Sequence, residues 1–132
     1  MYDDPNDPND PSADIDLVTI RNLVIRNMPQ WGIHGFRLTD NWTIEFNEIA
    51  SNRWGLLFGP GFTVKNNYIH HNVGPNPSSP NPGDRGGGYV DEHASNRTLE
   101  NNEIAFNGRE QKVGNASANV IFHNNFVHHN VG

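Results

Sequence analysis

The sequence predicts an all-β solenoid: about five short coils of strand, stacked in parallel. Three observations predict it. Five six-residue segments line up, IRNLVI at 20–25, IEFNEI at 44–49, VKNNYI at 64–69, LENNEI at 99–104 and FHNNFV at 122–127, each apolar at its first and sixth positions. Asparagine is the commonest residue, 21 of 132, and it is a poor helix and strand former that belongs at bends. The apolar runs are short, β-branched and alternate with polar residues, which suits strands rather than helices. A leucine-rich repeat has a similar period, but leucine is scarce here.

Stacking equivalent positions gives each element a reason. Parallel strands lie about 4.8 Å apart, so matched residues form files. Ile20, Ile44, Val64, Leu99 and Phe122 are expected in one buried file, and Ile25, Ile49, Ile69, Ile104 and Val127 in another. Asn47, Asn67, Asn102 and Asn125 form a third where the chain bends, since Asn tolerates bend conformations and its amide both donates and accepts. A further Asn follows in the last four segments: Asn52, Asn72, Asn107 and Asn130. Outside, Arg21, Glu45, Lys65, Glu100 and His123 alternate in sign, as favourable neighbours should. Trp31-Gly32-Ile33 and Trp54-Gly55-Leu56 repeat a second signature.

Residues 1–16 stand apart as an acidic, Pro/Asn-rich arm, holding six of the fifteen acidic residues and no Lys or Arg. They read as a solvated or capping arm, with loose cation binding by DDPNDPNDP the alternative. Residues 17–132 form the repeat unit, with nine acidic and nine basic residues, so no basic field exists to attract nucleic acid. One long interval, between 64 and 99, carries an inserted loop at 74–88, GPNPSSPNPGDRGGG. No apolar window reaches membrane-spanning length, no signal peptide is visible, and without cysteine there is neither disulfide nor thiolate. Five coils are few for a self-sufficient solenoid, so adjoining coils or end-to-end association are expected to complete it.

The phrases VTIRNLVIRN, NEIASNRWG, VKNNYIHHN and ENNEIAFN resemble the repeats of right-handed parallel β-helix proteins, the pectate-lyase-like superfamily, over residues 17–132. The resemblance implies a right-handed parallel β-helix and a carbohydrate-associated module, outside the cell or at its surface, with a polysaccharide or oligosaccharide as partner. The superfamily includes lyases, epimerases, hydrolases and non-catalytic repeat proteins, so catalysis stays open and a binding scaffold is the alternative.

Chemistry is expected on the loop that interrupts the coils. Beside it lie Asp84, Arg85, Tyr89, Asp91, Glu92 and His93. In an extended stretch Tyr89, Asp91 and His93 share one face. Abstraction of a uronate C5 proton needs the sugar carboxylate neutralised and a base positioned. Arg85 would neutralise, His93 or Tyr89 would move protons, and Asp91 would orient His93 or hold a cation such as Ca2+. Asp84 and Glu92 would assist binding. Asp91-x-His93 is similar to the Asp-x-His motif of mannuronan C5-epimerases, although Glu92 stands where their longer phrase has Pro. A solvated strand end is the structural alternative. The polygalacturonase phrases are absent, so a lyase or epimerase is expected ahead of a glycoside hydrolase. Trp31 and Trp54 could form a sugar-stacking strip or pack as core. His70-His71 and His128-His129 recur in alternate coils, about 9.6 Å apart and too far to share one ion; adjacent histidines alone are a poor chelate, so they read as turn residues hydrogen-bonding along the ladder rather than metal ligands.

Overall fold

The computed structural model describes residues 17–35, 41–58, 60–76, 78–91, 95–108, 111–113 and 118–131. The acidic arm lies outside them. The chain winds as a right-handed parallel β-solenoid of about four turns. Coil 1 contributes β1 (Thr19–Arg21), β2 (Val24–Arg26) and β3 (Trp31–His34). Coil 2 contributes β4 (Thr43–Glu45), β5 (Glu48–Ala50) and β6 (Trp54–Phe58). Coil 3 holds β7 (Thr63–Lys65), β8 (Tyr68–His70), a helical turn α1 (Pro82–Arg85) and β9 (Gly87–Asp91). Coil 4 holds β10 (Ser95–Glu100), β11 (Glu103–Ala105) and β12 (Gln111–Val113). A fifth coil adds β13 (Ala118–His123) and β14 (Phe126–His128). Three parallel sheets result: the first is β1-β4-β7-β10-β13, the second β2-β5-β8-β11-β14 and the third β3-β6-β9-β12.

The register is the one the repeat predicts. Ile20, Ile44, Val64, Leu99 and Phe122 pair in sequence along the first sheet. Ile25, Ile49, Ile69, Ile104 and Val127 do so along the second. Ile44, Ile49, Val64, Ile69, Leu99 and Ile104 are buried and form the core with Ile33, Leu56, Phe62 and Tyr89. Each such side chain contributes about 1.5–3 kcal/mol by leaving water. On the outer face of the first sheet Glu45 bridges Arg21 at 3.9 Å and Lys65 at 3.3 Å. Exposed pairs of this kind are worth a fraction of a kcal/mol each.

The corners divide the work that the sequence assigns to Asn alone. The bend itself is made by a residue in the left-handed region: Asn22, Phe46, Asn66, Asn101 and Asn124 between the first and second sheets, all with φ of 50–57°. The next residue turns inward and stacks. Asn47 Nδ2 donates to Asn67 Oδ1 at 3.1 Å, Asn67 Nδ2 to Asn102 Oδ1 at 3.0 Å, and Asn102 Nδ2 to Asn125 Oδ1 at 2.8 Å. Asn52, Asn72, Asn107 and Asn130 repeat the ladder at the next corner. There the left-handed residues are Asn27, Ser51, His71, Phe106 and His129.

Each ladder side chain also reaches back one coil. Its Oδ1 accepts a backbone N–H and its Nδ2 donates to a carbonyl, as Asn67 does to Asn47 N–H and Ile44 O, both at 2.9 Å. These are the backbone groups that the bend would otherwise leave unpaired. Coil 1, with no coil before it among the described residues, carries Leu23 and Met28 at these positions, whose N–H groups donate to Asn47 and Asn52.

Phe46 is the misfit at its corner. It is exposed, 55%, yet held at φ 55°, where a Cβ-bearing residue other than Asn or Asp is disfavoured. Phe46→Asn, which restores the Asn-Asn phrase of coils 3 to 5, is expected to stabilise by about 1 kcal/mol. A raised urea midpoint checks this; an unchanged or lower one contradicts it.

Candidate functional site

Of the residues named around the inserted loop, Tyr89, Asp84 and Arg85 are put to separate uses. Tyr89 is 2% exposed and belongs to the core, in register with Leu56 and Gln111, so its ring faces the interior rather than a polymer outside. Asp84 and Arg85 sit in α1, where they build the loop. Ser79 Oγ donates to Asp84 Oδ2 at 3.0 Å, Arg85 Nε donates to Ser79 O at 2.5 Å, and Arg53 Nη2 lies 3.7 Å from Asp84 Oδ1. Gly74 N–H donates to Arg85 O at 2.6 Å and closes the loop at its base. Arg85 thus ties the insertion to itself, and Asp84 ties it to Arg53 between β5 and β6 of the coil before. Asp91 ends β9, in register with Phe58 and Val113. Glu92 and His93 lie outside the described residues. No three His, Cys, Asp or Glu side chains converge as a metal centre among the described residues.

Trp31 and Trp54 pair in register and stack, ring centroids 5.5 Å apart and planes at 21°. Trp54 packs with Leu57 and Trp31 in a cluster separate from the main core. His34 stacks on Trp31 with centroids at 5.6 Å. Trp54 is only 9% exposed, so Trp31 offers the more accessible ring. The glycine after each Trp explains the signature. A Cβ on Gly32 would stand 2.8 Å from Asn52 Nδ2, and one on Gly88 3.0 Å from Asn107 Nδ2. Gly32, Gly55 and Gly88 are a file pressed against the second Asn ladder.

The outer face of the second sheet holds groups whose grouping the sequence reading missed. Glu48, Tyr68, Glu103 and Phe126 pair in sequence as one file, alternating carboxylate and aromatic ring. Beside it, His70 stacks on Tyr68 at 3.8 Å and His128 packs on Phe126 at 4.2 Å. His70 Nε2 lies 3.4 Å from Glu48 Oε1, and His128 Nε2 3.1 Å from Glu103 Oε1. At the adjoining corner the Phe106 ring stacks on His71 and on His129, centroids at 5.0 Å in both. Burial holds the His70 imidazolium below its ordinary pKa, and the neighbouring His71 lowers it further, against an opposing pull from Glu48. The arrangement occurs twice because a pair of coils repeats: NEIASN then NYIHHN, and NEIAFN then NFVHHN. That two-coil period was the signal in the sequence that would have found it.

No helix of the described residues is long and apolar enough to cross a membrane. No curated protein and no solved structure matches the chain. A comparison with protein families matches the right-handed β-helix region over residues 10–132. With that match covering nearly the whole chain, and its strands stacked coil on coil in the predicted register, the protein belongs to the right-handed β-helix family.

Proposed function

We propose that this β-helix is a saccharide-binding module, working outside the cell or at its surface, whose contact face is the outer side of the second sheet. The file Glu48–Tyr68–Glu103–Phe126 carries the reading. Aromatic rings there are platforms for the apolar faces of pyranose rings, and the intervening carboxylates accept hydrogen bonds from sugar hydroxyls. Phe126 is 63% exposed, so its ring is accessible to a ligand. Two carboxylates and no Lys or Arg in this file favour neutral or amino sugars over uronates.

The test is binding of cello-, chito- and uronate oligosaccharides to the intact chain by calorimetry. Binding of neutral or amino sugars is expected, with a tenfold or greater loss in the Tyr68→Ala, Phe126→Ala double variant. No binding, or binding indifferent to those two substitutions, refutes the assignment. The alternative is C5-proton abstraction on an acidic polysaccharide through Asp91 and His93, with Arg85 neutralising the carboxylate. It predicts unsaturated uronate or epimerised product from pectate or alginate. The engagement of Arg85 and Asp84 within the loop, and of Tyr89 in the core, supports the binding module instead.

A further inference from the structure

We infer that the His70–His71 and His128–His129 pairs are two separate binding sites for a tetragonal or octahedral transition-metal ion of the Ni2+ or Cu2+ type. The spacing argument against one ion shared between pairs stands; each pair takes its own.

Consecutive residues of a strand point to opposite faces, so a His-His dipeptide does not ordinarily present two nitrogens to one point. Here the second residue of each pair is the left-handed corner, with φ 52° at His71 and 53° at His129. The bend swings its ring back beside the first. The rings stand nearly perpendicular, at 86° and 84°, and the two Nδ1 atoms approach to 2.8 Å in one pair and 2.6 Å in the other. With metal–nitrogen bonds of about 2.0–2.1 Å, adjacent ligands at a right angle stand about 2.9 Å apart, whereas tetrahedral ligands stand about 3.4 Å apart. The observed separations are those of an N–H···N hydrogen bond, a little shorter than either, so opening to the right-angle spacing is the smaller movement, and that geometry is the one of Cu2+ and Ni2+ with nitrogen and oxygen donors.

The surroundings fit as well. The other nitrogen of each first ring, Nε2 of His70 and of His128, faces Glu48 or Glu103. At His128 the Glu103 carboxylate is within hydrogen-bond reach, holds the proton on Nε2 and leaves the Nδ1 lone pair for an ion; at His70 the charge of Glu48 at 3.4 Å favours the same tautomer without a hydrogen bond. Phe106, stacked against His71 and His129, fixes the second rings. In the empty pair one Nδ1–H donates to the other Nδ1. On binding, that proton moves to Nε2 of the same ring, so charge and protons balance without an added base. With no third protein ligand among the described residues, water fills the remaining positions. The protein ligands are not in the Glu48–Tyr68–Glu103–Phe126 file, although Glu48 and Glu103, which orient the first rings, belong to it, so the substitutions at His71 and His129 are the ones that separate this inference from the saccharide reading.

The experiment is calorimetric titration of the untagged chain with NiCl2 at pH 7.5, paired with electron paramagnetic resonance of the Cu2+ form. Two equivalents per chain are expected, with two imidazole nitrogens on each copper. His71→Asn and His129→Asn each remove one equivalent, and the double variant removes both; Asn keeps the left-handed corner, as Asn27 does in coil 1. Glu48→Gln with Glu103→Gln weakens both sites about tenfold without changing their number. Absence of binding by the parent chain, binding that survives the double Asn variant, or copper with other than two imidazole nitrogens overturns the inference.

Discussion

Replacing Asn67 with Asp is expected to destabilise the solenoid more than truncating it to Ala, although Asp is nearly isosteric. Asn67 is 3% exposed and lies in the middle coil. Its Oδ1 accepts from both the N–H and the Nδ2 of Asn47, at 2.9 and 3.1 Å. Its Nδ2 donates to Ile44 O at 2.9 Å, Lys65 O at 3.0 Å and Asn102 Oδ1 at 3.0 Å. Ala leaves the Asn47 N–H and the Nδ2 hydrogen aimed at residue 67 buried and unpaired, while the other Nδ2 hydrogen keeps Ile20 O, at about 1–3 kcal/mol each, for a total of roughly 3–5 kcal/mol. Asp keeps the acceptor but turns the donor end into a second oxygen facing three other oxygens. It either carries a buried charge against them or holds a proton far above its usual pKa. Against a domain stability of about 5–15 kcal/mol, Asn67→Ala should remain foldable and Asn67→Asp should be largely unfolded at neutral pH. The sign of the pH dependence follows. Protonation restores one donor, so the Asp variant gains stability as pH falls toward the carboxylate range, relative to Asn67→Ala. Urea unfolding at neutral and acidic pH measures both. An Asp variant within about 1 kcal/mol of the parent, or no better in acid, would mean that the ladder does not carry the corner.

That ladder was legible in the sequence because a solenoid maps sequence offset directly onto spatial neighbourhood. Once Ile44, Val64 and Leu99 are aligned, every residue between them is aligned too, and the alternating signs of Arg21, Glu45 and Lys65 become ion pairs. What was not legible is whatever depends on side-chain direction at a corner. Asn66 and Asn67 look alike as letters, but one supplies the left-handed backbone and the other the buried amide. The convergence of His70 on His71 has the same origin, because period-two alternation predicts that they diverge. Tyr89 was misplaced for a related reason. Extended geometry says which residues alternate, but only the register with Leu56 says that Tyr89 faces inward. The charges beside the loop gave no sign that Asp84 and Arg85 would be consumed by Ser79 and Arg53, since loop-internal bonds have no periodicity to read.

Gly55→Ala tests the part of the fold that the insertion hid. The sequence displays Trp-Gly twice, but the third member of the file, Gly88, is camouflaged within Gly86-Gly87-Gly88. In the third sheet Trp54 pairs with Gly87 and Leu56 with Tyr89, which puts Gly55 beside Gly88. A methyl group on Gly55 would overlap Gly88 O and stand 3.1 Å from both Asn72 Nδ2 and Ile69 Cγ2. None of these can retreat cheaply. Gly88 O belongs to the paired strand, Asn72 Nδ2 is held by Ile49 O at 2.9 Å and Asn107 Oδ1 at 3.0 Å, and Ile69 is fully buried. Relief requires parting β6 from β9 or displacing the ladder, so the usual gain of Ala over Gly in the unfolded chain is overwhelmed. A loss of about 3 kcal/mol or more is expected by urea unfolding. Gly108→Ala is no neutral control, because a Cβ there would meet Arg85 O. The informative comparison is Gly32→Ala, one coil earlier, where the nearest atoms are 2.8 Å away and β3 has only one strand beside it among the described residues. With a less severe overlap and one described neighbour rather than two, Gly32→Ala should cost less than Gly55→Ala. Equal losses would place the constraint in the local backbone of the Trp-Gly strand start rather than in the contact between stacked coils.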